Sequence, residues 1–379
     1  MKPRYAGLDG LRGVALLLVL GYHLNLLGCG WVGVQLFFVL SGFLITRILL
    51  EARAELPPRQ ALGRFYLRRS LRIFPVFYLY LALMVGSLAI LRPPTAAAQT
   101  ALRHWPWAAA YAYNWFGMTR WHEPSYYLDH LWTLAVEEQF YLLWPALVLT
   151  LPRRALRWVL LGLVAAGPLV RAALARYWPG LDVAAPGIVA YAVGVCTLSH
   201  LDAFAAGALL NFFALRLSRL RRPAALALTA LAGAYLLGAA VNGAGVAPPQ
   251  PLAAPLVLGY PNTLPAEGQY VWGYSVLNLC AALLVGGAAH AGLWRRLLDS
   301  RSLAFVGRVS YGAYIFHLPL AHLMSPVVLW LHATTGAGFH ASLVLFAPLY
   351  VATVLALAAL SYRFFERPIL AWRDRRLPA

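Results

Sequence analysis

Residues 8–24 read LDGLRGVALLLVLGYHL, an apolar run whose only ionisable members are Asp9, Arg12 and His23. At ~1.5 Å per residue, a helix over the wider run 10–28 is long enough to reach nearly across a ~30 Å hydrocarbon core. No small-residue cleavage pattern follows it, so it reads as a retained first span and not as a removed leader. Comparable runs recur at 32–50, 73–91, 131–150, 156–174, 201–216, 223–241, 271–290, 309–330 and 341–361. The expected fold class is an all-α polytopic membrane protein. It would be a single bundle of about ten transmembrane helices over 1–379, with no appended soluble domain.

Composition closes off the alternatives. Of 379 residues, 61% are hydrophobic and only 12% charged, with a mean hydropathy of +0.66. A water-soluble domain carries about 25% charged residues, and a disordered chain needs low hydrophobicity. A barrel would show alternating segments of about ten residues in place of long apolar runs. Cys29, Cys196 and Cys280 form no CxxC pair, so neither a disulfide framework nor a zinc site is indicated, and no metal is expected.

A net charge of +18 would point to nucleic acid in a soluble protein. Here its distribution says otherwise. With the N-terminus inside and ten alternating spans, 26 of the 31 basic residues fall on the inner side. The outer side keeps Arg92, Arg103, Arg120, Arg171 and Arg176. That asymmetry is the positive-inside rule, so both termini are expected in the cytoplasm and no nucleic-acid partner is implied. Counting 102–118 as a further span would invert everything downstream, so this Trp- and Tyr-rich stretch reads as an outer amphipathic or re-entrant element. Internal repeats of the transporter kind are not evident.

Ionisable groups inside a membrane default to functional hypotheses. Arg12 and His23 are separated by eleven residues. That spacing puts them on one helix face, ~16 Å apart along the axis. In the fourth run, DHLWTLAVEEQFYLLWP (129–145), His130, Glu137 and Tyr141 share a face, and adjacent Glu138 lies about 100° away. His23 and Glu137 are each expected ~8–10 Å below the outer edge of their spans. A His and a carboxylate at one depth have the composition of a general base and its orienting acid. The same pair would also serve as a hydrogen bond tying two helices. Before the third run, FYLRRSLRIFPVFY (65–78) carries Arg68, Arg69 and Arg72 at the inner interface. The i, i+3 pair Arg69 and Arg72 suits phosphate oxygens, although any inner loop is basic. Ser41 reads as a small packing residue, His317 as a mid-span polar group, and Asp202 as an outer helix cap. The Glu366–Arg367–Pro368 stretch reads as an inner helix terminus.

Taken in order, LDGLRGVALLLVLGYHL, VGVQLFFVLSGFLIT, FYLRRSLRIFPVFYLY, LDHLWTLAVEEQFYLLWP, LDAFAAGALL, VGRVSYGAYIFHLPL and FFERP resemble the acyltransferase-3 family of bacterial integral-membrane O-acyltransferases. The resemblance covers nearly the whole chain. It implies transfer of an acyl group, commonly acetyl, from cytoplasmic acyl-CoA to a hydroxyl on an extracytoplasmic or lipid-linked sugar. It places the family's Arg–x10–His motif on Arg12 and His23, its RxxR motif on Arg69 and Arg72, and its acid on Glu137 with Glu138. One departure stands out: His200 occupies the place where Arg is expected before Asp202.

The expected mechanism follows. Arg69 and Arg72, with Arg68, hold the phosphates of acyl-CoA (acetyl-CoA in the first instance). His23, oriented by Glu137 and with Arg12 on its face, deprotonates the acceptor hydroxyl or is itself acylated. Glu138, Tyr141, His130, His317, Ser41 and Asp202 are candidate substrate contacts. The expected setting is the bacterial cytoplasmic (inner) membrane, with lipids and a carbohydrate acceptor as partners. Two rivals remain: O-acylation of a small lipophilic natural product such as a macrolide, and a proton-coupled transporter or flippase.

Overall fold

The computed structural model describes residues 6–119, 121–179, 186–217, 229–234, 236–238, 240, 260, 268–290, 298–336 and 338–376. Among the described residues there are helices and turns and no strand. Inside a bilayer this is the expected outcome, because a helix satisfies every backbone donor and acceptor within its own segment.

In chain order the helices are α1 (Ala6–His23), α2 (Val32–Glu55), α3 (Pro58–Leu91), α4 (Ala96–Ala109), α5 (Tyr113–Gly117), α6 (Trp132–Thr150) and α7 (Arg153–Tyr177). They continue with α8 (Pro186–Val195), α9 (Leu201–Leu217), α10 (Gln269–His290), α11 (Arg301–Leu323), α12 (Ser325–Thr335), α13 (Phe339–Ser361) and α14 (Arg367–Arg376). By length and composition, five helices can cross a membrane: α2, α3, α7, α10 and the continuous stretch Phe339–Arg376. The number rises to seven if two bent pairs each count as one span, α8 with α9 (74°) and α11 with α12 (46°). The protein is a multi-pass helical membrane protein.

Nine of the ten expected runs coincide with helices. The expected span 223–241 lies largely outside the described residues. α1 and α6 are outside the set of five to seven. In α6 the run Glu137–Glu138–Gln139 lowers the hydropathy of a 19-residue helix. The first helix also ends earlier than expected. It stops at His23 because Asn25 turns left-handed (φ 56°) and the amides of Leu26 and Leu27 both bond back to the Gly21 carbonyl, at 2.9 and 3.1 Å. Asn accepts this conformation more readily than most residues.

Two further differences concern the basic segments. α3 begins at Pro58, far upstream of the expected 73–91, so Arg68, Arg69 and Arg72 ride on the same helix as the apolar span. Nor is Glu366 a helix terminus. The chain passes through a π-helical turn at Tyr362–Glu366 and continues as α14. The segment 102–118 contains α4, a turn and α5. At ~1.5 Å per residue, α4 with its 14 residues is too short to cross a ~30 Å core.

The chain forms two compact units, residues 1–50 with 150–308 and residues 51–149 with 309–379. In the first, α7, α9 and α10 pack against one another. In the second, α3 packs against α4 and α14, and α12 packs against α13.

Candidate active site

In the second unit the polar residues of α3 and α6 meet. The guanidinium of Arg69 lies over the Tyr141 ring, 5.3 Å from its centroid, and 5.9 Å from that of Phe65. Tyr141 donates its hydroxyl proton to Glu137. Arg69 is within electrostatic range of Arg72, Glu137 and Glu138. One turn of α3 therefore presents a cation that an aromatic face and two carboxylates hold in place. Arg68 points elsewhere: its Nη2 pairs with Asp374 at 3.0 Å, an oxygen shared with Arg373. Arg72 interacts electrostatically with Glu366, a buried carboxylate that accepts from Ser361 at 3.2 Å.

The loop between α4 and α5 is fastened to α6 by one amide. Gln139 donates to the Tyr111 carbonyl (2.8 Å) and to Asn114 Oδ1 (2.9 Å). Its Oε1 accepts from the Trp115 indole at 3.0 Å. Tyr111 sits at φ 51°, a left-handed conformation that costs a non-glycine residue about 1–3 kcal/mol unless its surroundings enforce it. Here they do. Its ring stacks on Phe77 with centroids 4.3 Å apart.

His130 and His317 form a second group in this unit, with ring centroids 5.3 Å apart. His130 Nε2 bonds the Ile315 carbonyl at 2.9 Å. Thr133 donates to the Tyr314 hydroxyl at 2.7 Å, and Tyr350 donates to the His317 carbonyl at 2.9 Å. These bonds tie the 3₁₀ turn at Asp129–Leu131, α6 and α13 to α11.

The first unit holds Arg12 and His23 on α1. Arg12 lies 3.9 Å from Asp9, one turn away, and the His23 ring meets Tyr22 edge-on at 5.0 Å. His23 and Glu137, which sequence pairs by depth, belong to different units. Ser41 is buried on α2, beside Gly42. A Cβ on Gly42 would come within 2.0 Å of the Phe204 carbonyl oxygen. Asp202 lies in the first turn of α9. There its carboxylate accepts from Arg171 Nη2 at 3.0 Å, Ser275 Oγ at 2.7 Å and Asn278 Nδ2 at 3.0 Å. His200, in the 3₁₀ turn before α9, bonds the Gly194 carbonyl at 2.7 Å and Gln35 at 3.4 Å.

Sequence reasoning overlooked Arg171 as a partner of Asp202 and Gln139 as the tether of the Tyr111 loop. The first had a signal, since an Arg inside an apolar helix must find a partner. The second had none, because its partners are loop carbonyls and amides. Among the described residues no cluster of three or more His, Cys, Asp or Glu side chains could hold a metal ion.

The architecture defines a multi-pass membrane protein with ionisable side chains buried among its helices. The chain belongs to the acyltransferase-3 family, whose model, described as an acyltransferase domain, matches residues 5–363. It is 30% identical over 381 residues to the peptidoglycan O-acetyltransferase OatA of Listeria monocytogenes, covering 96% of this chain and 55% of that protein. It is 31% identical over 391 residues to the putative peptidoglycan O-acetyltransferase YrhL of Bacillus subtilis, covering 96% and 54%. A putative O-acetyltransferase of Staphylococcus aureus is 25% identical over 405 residues, covering 100% and 60%. The chain thus spans a little over half the length of the curated relatives it matches. No solved structure matches it.

Proposed function

We propose that this chain transfers an acyl group, acetyl in the first instance, from cytoplasmic acyl-CoA to a hydroxyl of a cell-surface or lipid-linked glycan. The observation that carries this reading is the family match over residues 5–363. The relatives named as O-acetyltransferases of peptidoglycan favour a carbohydrate acceptor over a small lipophilic product. The proposed setting is the bacterial cytoplasmic membrane, with ten spans and both termini inside, a reading that the basic-residue asymmetry supports.

Roles are assigned residue by residue. Arg69 and Arg72 bind the donor phosphates by charge-assisted hydrogen bonds. His23 takes the proton of the acceptor hydroxyl as its oxygen attacks the thioester carbonyl. The C–O bond forms, the C–S bond breaks, and His23 returns the proton to the departing CoA thiolate. An imidazole with an ordinary pKa of ~6.5 suits this work at neutral pH and contributes about 10²–10⁴-fold in rate. Glu137 keeps a carboxylate in the cluster, oriented by the Tyr141 hydroxyl.

The deciding experiment follows free thiol from acetyl-CoA with the purified full chain, with and without a peptidoglycan disaccharide. Acceptor-dependent thiol release with ester formation is expected, and its absence with every carbohydrate tried would sink the reading. His23→Gln keeps a hydrogen bond but cannot carry a proton, so it should be as inactive as His23→Ala while melting near the wild-type temperature. Near-full turnover by His23→Gln would make this residue a packing element only.

A further inference from the structure

Five tyrosine hydroxyls interact electrostatically with the Glu137–Glu138 pair or bond it directly. Tyr314 gives its proton to the His130 carbonyl at 3.2 Å. Tyr141 gives its proton to Glu137. Tyr78 gives its proton to the Ala109 carbonyl at 3.0 Å, and Tyr311 to the Ile73 carbonyl at 2.8 Å. Tyr111 is the exception. Its side chain is 9% exposed, yet its hydroxyl has no hydrogen-bond partner among the described residues. Glu138 Oε1 is buried and unpartnered in the same way.

Burying a polar atom without a partner is expensive, and two such groups within electrostatic range of each other invite a bridging group. The Tyr111 hydroxyl interacts electrostatically with Glu138 without bonding it. The backbone around Tyr111 is held in a left-handed conformation, φ 51°, by the Gln139 amide. Its ring is fixed by stacking on Phe77. Strain of this kind persists where the surroundings over-determine it, and it concentrates at ligand sites. The hydroxyl is therefore presented by its setting and is not adrift.

The chemistry narrows the occupant. Glu138 Oε1 can accept a hydrogen bond, and a phenol hydroxyl both donates and accepts. The smallest group that satisfies both through one atom is an alcohol hydroxyl, donating to Glu138 and accepting from Tyr111. We propose that Tyr111 and Glu138 form an alcohol-binding subsite that holds a hydroxyl of the carbohydrate acceptor; this rests on the functional reading above and names the residues that would recognise its substrate.

The test is equilibrium binding of N-acetylglucosaminyl-N-acetylmuramic acid, and separately of CoA, to the full chain in lipid nanodiscs. The conservative variants are Tyr111→Phe and Glu138→Gln, each checked by its thermal midpoint. Losing one hydrogen bond should weaken disaccharide binding about three- to tenfold in each variant, with CoA affinity in Tyr111→Phe the same as in the wild type. Equal disaccharide binding by all three, or no binding by the wild type, overturns the subsite and makes the unpartnered atoms a water site at most. A fall in CoA affinity in Tyr111→Phe to match the disaccharide also overturns it, since that hydroxyl would then serve the fold or the donor. Wild-type protein that binds the disaccharide but releases no thiol from acetyl-CoA would overturn the transferase reading alone.

Discussion

Arg171 is fully buried in α7, and its guanidinium is divided among the carbonyls of Val271 and Ser199, the Asp202 carboxylate and Ser275. The Ser199 carbonyl lies in the break between α8 and α9, where helical hydrogen bonding is interrupted, so Arg171 supplies donors that the helix cannot. Removing one member strands the other in a low dielectric. Arg171→Met or Asp202→Leu alone should therefore destabilise by about 3–5 kcal/mol, and the double variant by clearly less. Additive losses in thermal unfolding would mean that the two side chains do not form a coupled pair. The arginines of α3 divide by the same reasoning. Arg68 is held at Asp374 in a partly exposed pair, worth at most about 1 kcal/mol, whereas Arg69 and Arg72 face the carboxylate cluster. Arg69→Ala and Arg72→Ala should each weaken CoA binding by about 1.5–3 kcal/mol, and Arg68→Ala far less. A titration in which Arg68→Ala has the largest effect would reassign the donor site.

Where helices cross, glycine decides how close they come. In the first unit, a Cβ on Gly207 of α9 would lie 2.0 Å from the Val39 carbonyl oxygen, and one on Gly42 of α2 would lie 2.0 Å from that of Phe204. Lipid offers helices no hydrophobic drive to associate, so close backbone contact through small residues carries the packing. Gly207→Ala should destabilise by about 1–3 kcal/mol through overpacking. Gly63 of α3 has nothing within 4 Å of a Cβ, so Gly63→Ala should be neutral or slightly stabilising, by up to about 1 kcal/mol. Similar melting of the two variants would contradict the crossing. Elements of this kind were legible in part. Long apolar runs located α2, α6, α7, α10 and α13 closely, because a buried backbone of that length has only the helix open to it. Helix ends were less legible. α1 stops at His23 through an Asn in a left-handed turn, and α3 extends upstream through its arginines, whose apolar stems let charge ride on a membrane helix. Candidate motif residues could be proposed from spacing, but the Tyr111 loop and the Arg171 network could not, because both depend on contacts distant in sequence.

At the scale of the whole chain, charge and hydropathy speak to different things. Hydropathy marks helices able to cross, five to seven by length and composition, and misses apolar segments interrupted by a polar run, as α6 shows. Charge marks the side on which each loop rests. The 26-to-5 partition of basic residues over the ten proposed spans is far from an even division, and by the positive-inside rule it argues for one orientation. α4, with exposed Trp105 and Trp107, matches the amphipathic aromatic character of an interfacial helix. It leads into the turn that carries Trp121, whose side chain is exposed. Residues 92–130 should therefore lie wholly on the outer side. With Cys29, Cys196 and Cys280 replaced, a single cysteine at Trp121 in intact cells should react with a membrane-impermeant maleimide. One at exposed Arg375 should react only after the membrane is opened. If the Trp121 position is labelled only from the cytoplasmic side, α3 and α6 are inverted. The depth assigned to Glu137 and the ten-span topology then fall together, and the acceptor would have to be sought among cytoplasmic hydroxyls.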